Sequence, residues 1–142
     1  MTKYLSYDIS EPHWHQYHPH QTLSCRVKGL SNSYRDGEDA IIDASITHLI
    51  CDLNYHGYLT AFCCSGLVSE HEEKIASHFA YISFSDEAHL ATQPFIALPS
   101  VFRWDGKSVI RGERSATEEV LRRGWETFKT RFSHLMNRQD NG

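Results

Sequence analysis

The stretch Gly57-Tyr-Leu-Thr-Ala-Phe-Cys-Cys-Ser-Gly66 reads as a buried strand that ends in small polar residues and a glycine. A strand ending this way presents backbone N–H groups to a ligand. Glycine at 66 can take backbone angles closed to other residues and lets a ligand approach the chain closely. Thr60 and Ser65 contribute hydroxyls and Cys64 a polarisable thiol. Strand ends of open sheets are common ligand sites. The same residues also suit a strand and tight turn in which Cys63 and Cys64 are small core residues.

Three further groups bear chemistry. Phe102, Arg103, Trp104, Lys107, Arg111 and Arg114 surround an Asp105-Gly106 dipeptide. Arginine forks suit phosphate and flat aromatic rings stack on bases, so Arg103, Trp104 and Arg111 are candidates for a nucleotide pocket shared with the Cys64–Gly66 turn. Solvated charge that protects an edge hairpin from aggregation is the competing reading. His13, His15, His18 and His20 fall within one short segment. On an extended chain His13 and His15 share a face, as do His18 and His20. Neutral imidazoles ligate zinc, copper or nickel, and Cys25 or Cys64 can complete such a set. Spacing alone is a weak signal for such a site, and a solvated polar loop near the terminus, with Trp14 and Tyr17 packing on the body, is the favoured reading. Finally, His71 follows the Cys-Ser-Gly turn, with Glu70, Glu72 and His78 nearby. A Cys64–His71 nucleophile needs an exposed thiol of lowered pKa, which nothing in the sequence indicates. No P-loop, G-x-G-x-x-G, G-x-S-x-G or H-E-x-x-H pattern occurs, and no catalytic residue is assigned.

The segment Leu53–Gly66, through Tyr58, Thr60, Cys64, Ser65 and Gly66, resembles the Thr-Thr-Ser-Ser-Cys-Ser-Gly-Arg segment of the TYW3-like family of wybutosine synthesis. Ala61 and Phe62 replace polar family residues, and Leu67 stands where the family has arginine. The resemblance implies an α+β fold, a site at this turn and S-adenosylmethionine-dependent methylation of a tRNA guanine derivative.

The elements that must position these residues follow from pattern. The chain has 142 residues, the size of one domain with one real core, and no linker or repeat divides it. Residues 1–20 form a His- and aromatic-rich amino-terminal segment expected as loop or short edge strand, and 137–142 a disordered tail. Thr22–Lys28 alternates as a strand. Asp36 reads as an N-cap, Glu38 and Asp39 as its first turn, and Ile42, Ile46, Leu49, Ile50 and Leu53 as one helical stripe ending at Gly57. Tyr58–Cys63 and Phe79–Phe84 read as strands, and short helical turns are expected at Glu72–His78 and from Ser85 to Leu90. Val101–Trp104 and Ser108–Ile110 form a hairpin about Asp105-Gly106. Ser115-Ala-Thr-Glu118 reads as a capping box for a long helix whose buried face is Val120, Leu121, Trp125, Phe128, Phe132, Leu135 and Met136. The sum is an α+β fold, a mixed and mainly antiparallel sheet with two main helices packed on one face.

The formal net charge of −4 argues against generic nucleic-acid binding but leaves room for a local basic pocket. The longest apolar runs fall far short of a membrane span, no signal sequence is evident, and the four cysteines show no C-x-x-C spacing. A cytoplasmic protein with reduced thiols and no membrane partner is expected. The leading functional expectation is a binding protein for a small anionic ligand, a nucleotide above all. It uses Thr60, Cys64, Ser65, Gly66, Arg103, Trp104 and Arg111 to sequester or sense that ligand without chemistry. Homo-oligomerisation is one route to a deep pocket in so small a chain. The alternatives are the RNA-modifying enzyme implied by the resemblance, with S-adenosylmethionine as cofactor, and a zinc-organised interaction module built on His13, His15, His18 and His20.

Overall fold

A computed structural model describes residues 5–8, 24–28, 40–67, 80–85 and 96–141, with side chains placed for 27, 42–67, 80–85 and 96–138. The fold is α+β, as the patterning predicts, but its strands form two sheets. The first holds β1 (Leu5–Asp8), β2 (Ser24–Lys28) and β3 (Ala40–Asp43), with β1 parallel and β3 antiparallel to β2. A 3-10 turn over Ala44–Ile46 leads into helix α1 (Thr47–Tyr55). The second sheet is antiparallel throughout. It contains β4 (Thr60–Cys64), β5 (Tyr81–Phe84), β6 (Phe102–Asp105) and β7 (Val109–Gly112) in the spatial order β4-β5-β7-β6. Helix α2 (Glu118–Asn141) completes the chain.

The helix anticipated from Asp36 begins instead at Thr47. Ile41 and Ile42 lie in β3, opposite Arg26 and Cys25 of β2. Adjacent β-branched residues suit a pleated surface, and pairing with a distant strand outweighs the helical spacing of Ile42 and Ile46. The stop is as anticipated. Gly57 takes a φ of 92°. The Tyr58 amide donates to the Leu53 carbonyl at 2.9 Å and the Gly57 amide to Asn54 at 3.1 Å. These two bonds are a Schellman cap, and the left-handed conformation they need is cheapest for glycine.

The start of α2 also differs in detail from the capping box. Thr117, not Ser115, is the cap: its Oγ1 accepts the Val120 amide at 3.2 Å. Val120 is 47% exposed and lies off the buried face, which comprises Leu121, Trp125, Phe128, Phe132 and Met136 with Leu135 beside them. The helix continues through Asn141, across the tail expected from residue 137.

Ala80, Ile82 and Phe84 point to one side of β5 and are buried, while Tyr81 and Ser83 between them are half-buried on the other. Strand alternation thus divides the second sheet into a core face and an open face. The core face meets both helices. Against α2 the Phe102 ring lies tilted over Trp125 with centroids 4.3 Å apart, and against α1 Thr60 of β4 accepts a hydrogen bond from Asn54. Tyr58, between α1 and β4, packs edge-on to Phe132 at 5.6 Å.

Close approach of α2 to the segment before β6 depends on Gly124. A Cβ at that position would stand 2.4 Å from Val101 Cγ1 and 3.0 Å from Phe102 Cε2. Val101 is 7% exposed and β-branched, so it has little room to turn away. Alanine would gain about 1 kcal/mol in helix propensity but incur an overpacking cost of about 1–3 kcal/mol. Gly124→Ala should therefore lower the urea midpoint. A raised midpoint would contradict this packing.

Candidate functional site

The turn after β4 is held from three directions. The Ser65 amide donates to Asp43 Oδ2 at 2.8 Å, the Ser65 hydroxyl accepts the Leu67 amide at 3.2 Å, and the Ser65 carbonyl accepts the Trp125 indole N–H at 2.7 Å. Gly66, with a φ of 74°, makes the reversal that lets Leu67 return to the core. Thr60 is similarly committed. Asn54 Nδ2 donates to Thr60 Oγ1 at 3.0 Å and to the Ile50 carbonyl at 2.8 Å, while Asn54 Oδ1 accepts the Thr60 amide at 3.1 Å. Thr60 and Ser65, two of the ligand-binding candidates, thus direct these polar atoms into the fold. Both side chains are buried.

Cys63 and Cys64 point to opposite faces. Cys63 lies in the core-face row with Ile82, Ile110 and Trp104. Burial, reinforced by the carboxylate of Asp43 and by the neighbouring thiols of Cys64 and Cys51, pushes its pKa up. Such a thiol holds its proton and is a poor nucleophile. Cys64 is half-buried on the open face.

Register answers whether this turn and the basic hairpin meet. Cys64 pairs with Tyr81, Tyr81 with Arg111, and Arg111 with Arg103, so one row of side chains crosses all four strands on the open face. Phe62, Ser83, Val109 and Asp105 form the next row on that face. With strands about 4.8 Å apart, Cys64 lies about 10 Å from Arg111 along the row and Arg103 about 5 Å beyond it. Trp104 does not join them. It alternates to the other face, 38% exposed at the rim, with its ring 6.1 Å from Phe84. The expected grouping of Arg103, Trp104 and Arg111 in one pocket is therefore corrected by the two-residue period of β6.

The electrostatics of the open face are uneven. Arg103 and Arg111 stand directly opposite each other, a like-charge pairing that costs energy in a sheet. Arg111 Nε donates to Asp105 Oδ2, and its guanidinium carbon lies 5.8 Å from the centre of the Tyr81 ring. Arg103 has no acidic partner among the described residues. Tyr81 has its pKa raised, chiefly by burial and then by the nearby thiols of Cys63 and Cys64, with Arg111 acting the other way. Its phenol keeps its proton and can donate. Tyr81 and Phe62 are the residues that the sequence reading missed. The signal was their alternation with the buried positions of β5 and β4.

A second polar cluster lies between the helices. His48, Asp52 and His56 are spaced one turn apart and border a cavity of about 460 Å³ with Lys129 and Ser133. His56 Nδ1 is 3.2 Å from Asp52 Oδ1, and Ser133 Oγ donates to Asp52 Oδ2 at 3.1 Å. The hydroxyl therefore bonds to the carboxylate and not to an imidazole, which is not the arrangement that activates a serine. Among the described residues no three His, Cys, Asp or Glu side chains converge on a metal position. His13, His15, His18, His20, His71, His78, Glu70 and Glu72, and the side chain of Cys25, lie outside the described residues.

The chain matches no family model, no curated protein and no solved structure.

The protonated Cys63 thiol has a measurable consequence. Its folded pKa lies above the ordinary value of 9.0, at which the unfolded chain ionises. Above that pH the folded state retains a proton that the unfolded state has lost. Stability from this group is complete below pH 9 and declines as pH rises beyond it, by up to about 1.4 kcal/mol per unit. Urea midpoints measured from about pH 8 to about pH 10 should fall more steeply for the native protein than for Cys63→Ala. Equal slopes would contradict the placement of this thiol.

Proposed function

We propose that the protein binds a small anionic ligand, a nucleotide being the class that fits best, on the open face of the β4-β5-β7-β6 sheet. The observation that carries this reading is the Arg103–Arg111 pair. Two guanidinium groups are held opposite each other with one carboxylate among the described residues, Asp105, on Arg111. A surface ion pair of that kind contributes little. An anion with several oxygens would relieve the repulsion and accept charge-assisted hydrogen bonds from both forks. The chain's net charge of −4 makes this local excess of positive charge a feature of one face rather than of the whole molecule.

Tyr81, Phe62 and Cys64 supply the neighbouring surface. Phe62 is 44% exposed, and an aromatic ring on a sheet face is a stacking platform for a planar base. The absence of any nucleotide-hydrolysis motif in the sequence favours binding without turnover.

Titration calorimetry with adenosine and guanosine mono- and triphosphates tests this reading. Arg103→Ala and Arg111→Ala should each weaken binding by about 1.5–3 kcal/mol, on the order of tenfold to a hundredfold in Kd. Neither exposed change should shift the urea midpoint appreciably. Affinity should also fall with added salt. Nucleotide binding of wild-type strength in both variants would overturn the assignment of this face.

A further inference from the structure

The cations of α2 divide into two sets. Arg122 pairs with Glu118, Arg123 with Glu119 and Lys129 with Glu126, each within one turn of helix. Arg131 and Arg138 have no carboxylate partner among the described residues. Arg131 is nonetheless held in place, because its Nη1 donates to the Ala97 carbonyl at 2.9 Å. Arg131, His134 and Arg138 recur at i, i+3 and i+7 and so form one stripe along the helix.

That stripe edges a cavity of about 410 Å³, between α2 and the segment at Ile96 and Ala97. The volume lies within the range of small-molecule sites. Its walls are mainly apolar: Ile96 and Leu135 are half-buried, pack against the hydrophobic core and turn their remaining surface into the groove. An apolar slot bordered by two arginines that have no acidic partner among the described residues is complementary to a ligand with a hydrocarbon body and an anionic head.

We propose that this groove binds the monomeric anion of a medium-chain carboxylic acid. The hydrocarbon lies against Ile96 and Leu135, and the carboxylate meets the Arg131–His134–Arg138 stripe. The site is distinct from the open sheet face and does not depend on the reading given for it. Phe128 and Phe132, on the same helix, are buried in the core.

Calorimetric titration of the whole protein with decanoate, below the concentration at which decanoate self-associates, provides the test. Saturable one-to-one binding is expected. Octanoate should bind more weakly by about fourfold for each methylene removed. The variant carrying both Arg131→Gln and Arg138→Gln should lose at least about tenfold in affinity with an unchanged circular dichroism spectrum. Both residues are exposed, so the fold is expected to tolerate the change. Absence of saturation, equal affinity for decyltrimethylammonium, or undiminished binding by the double variant would each overturn the proposal. Association with phosphatidylserine vesicles without any binding of monomeric decanoate would overturn it as well, by making the stripe a membrane-surface contact.

Discussion

Ser65 joins three separate parts of the chain through one residue. Its amide is tied to the carboxylate of Asp43 at the end of β3, and its carbonyl to the indole of Trp125 on α2. Its hydroxyl receives the Leu67 amide and so closes the turn locally. Each of these groups would be costly to bury unsatisfied, and Ser65 and Trp125 are both buried. The constraint is therefore mutual. The turn after β4 stays inside only while β3 and α2 keep their positions, and those elements are anchored there by the turn. Cys64 precedes this junction, so its place on the open face is set by a rigid support rather than by a free loop.

From this support the sheet acquires two faces of different character. The core face carries Ile82 and Ile110, which belong to one buried cluster with the aromatic side chains of α2, and the half-buried Cys63 packs against that cluster. The open face carries Cys64, Tyr81, Arg111 and Arg103 in one row. A ligand bound there would rest on side chains whose spacing is fixed by strand pairing. Little ordering of the protein would then be needed on binding, which favours affinity.

The parts of this fold that were legible in the sequence rest on local chemistry. Gly57 ends α1 because a left-handed cap is needed within a few residues of the last helical turn. Gly106, at a φ of 75°, turns the hairpin after Asp105 for a similarly local reason. The buried alternation of Ala80, Ile82 and Phe84 was equally clear. The β3 strand was obscured because Ile42 and Ile46 satisfy a helical period as well as a strand-and-turn pattern. Only pairing with β2, a contact distant in sequence, decides between them. The same holds for the candidate site. That Arg103 and Arg111 share a face follows from hairpin pairing, and the placement of Trp104 on the other face follows from alternation. Their alignment with Cys64 through Tyr81 depends on the register of three strand pairs, which no single segment encodes. The use of Ser65 by Asp43 and Trp125 was hidden for the same reason, since a Cys-Ser-Gly turn reads alike whether its amides face a ligand or the protein's own side chains.

Native-state hydrogen exchange of the Ser65 amide tests this central junction most directly. If the amide is held by Asp43 and the turn is fixed by Trp125, it should exchange only through opening that approaches global unfolding, with protection comparable to the buried amides of β5. Exchange at the rate of an exposed loop amide, in protein that is otherwise fully folded, would contradict the junction and return the turn to the status of an open loop.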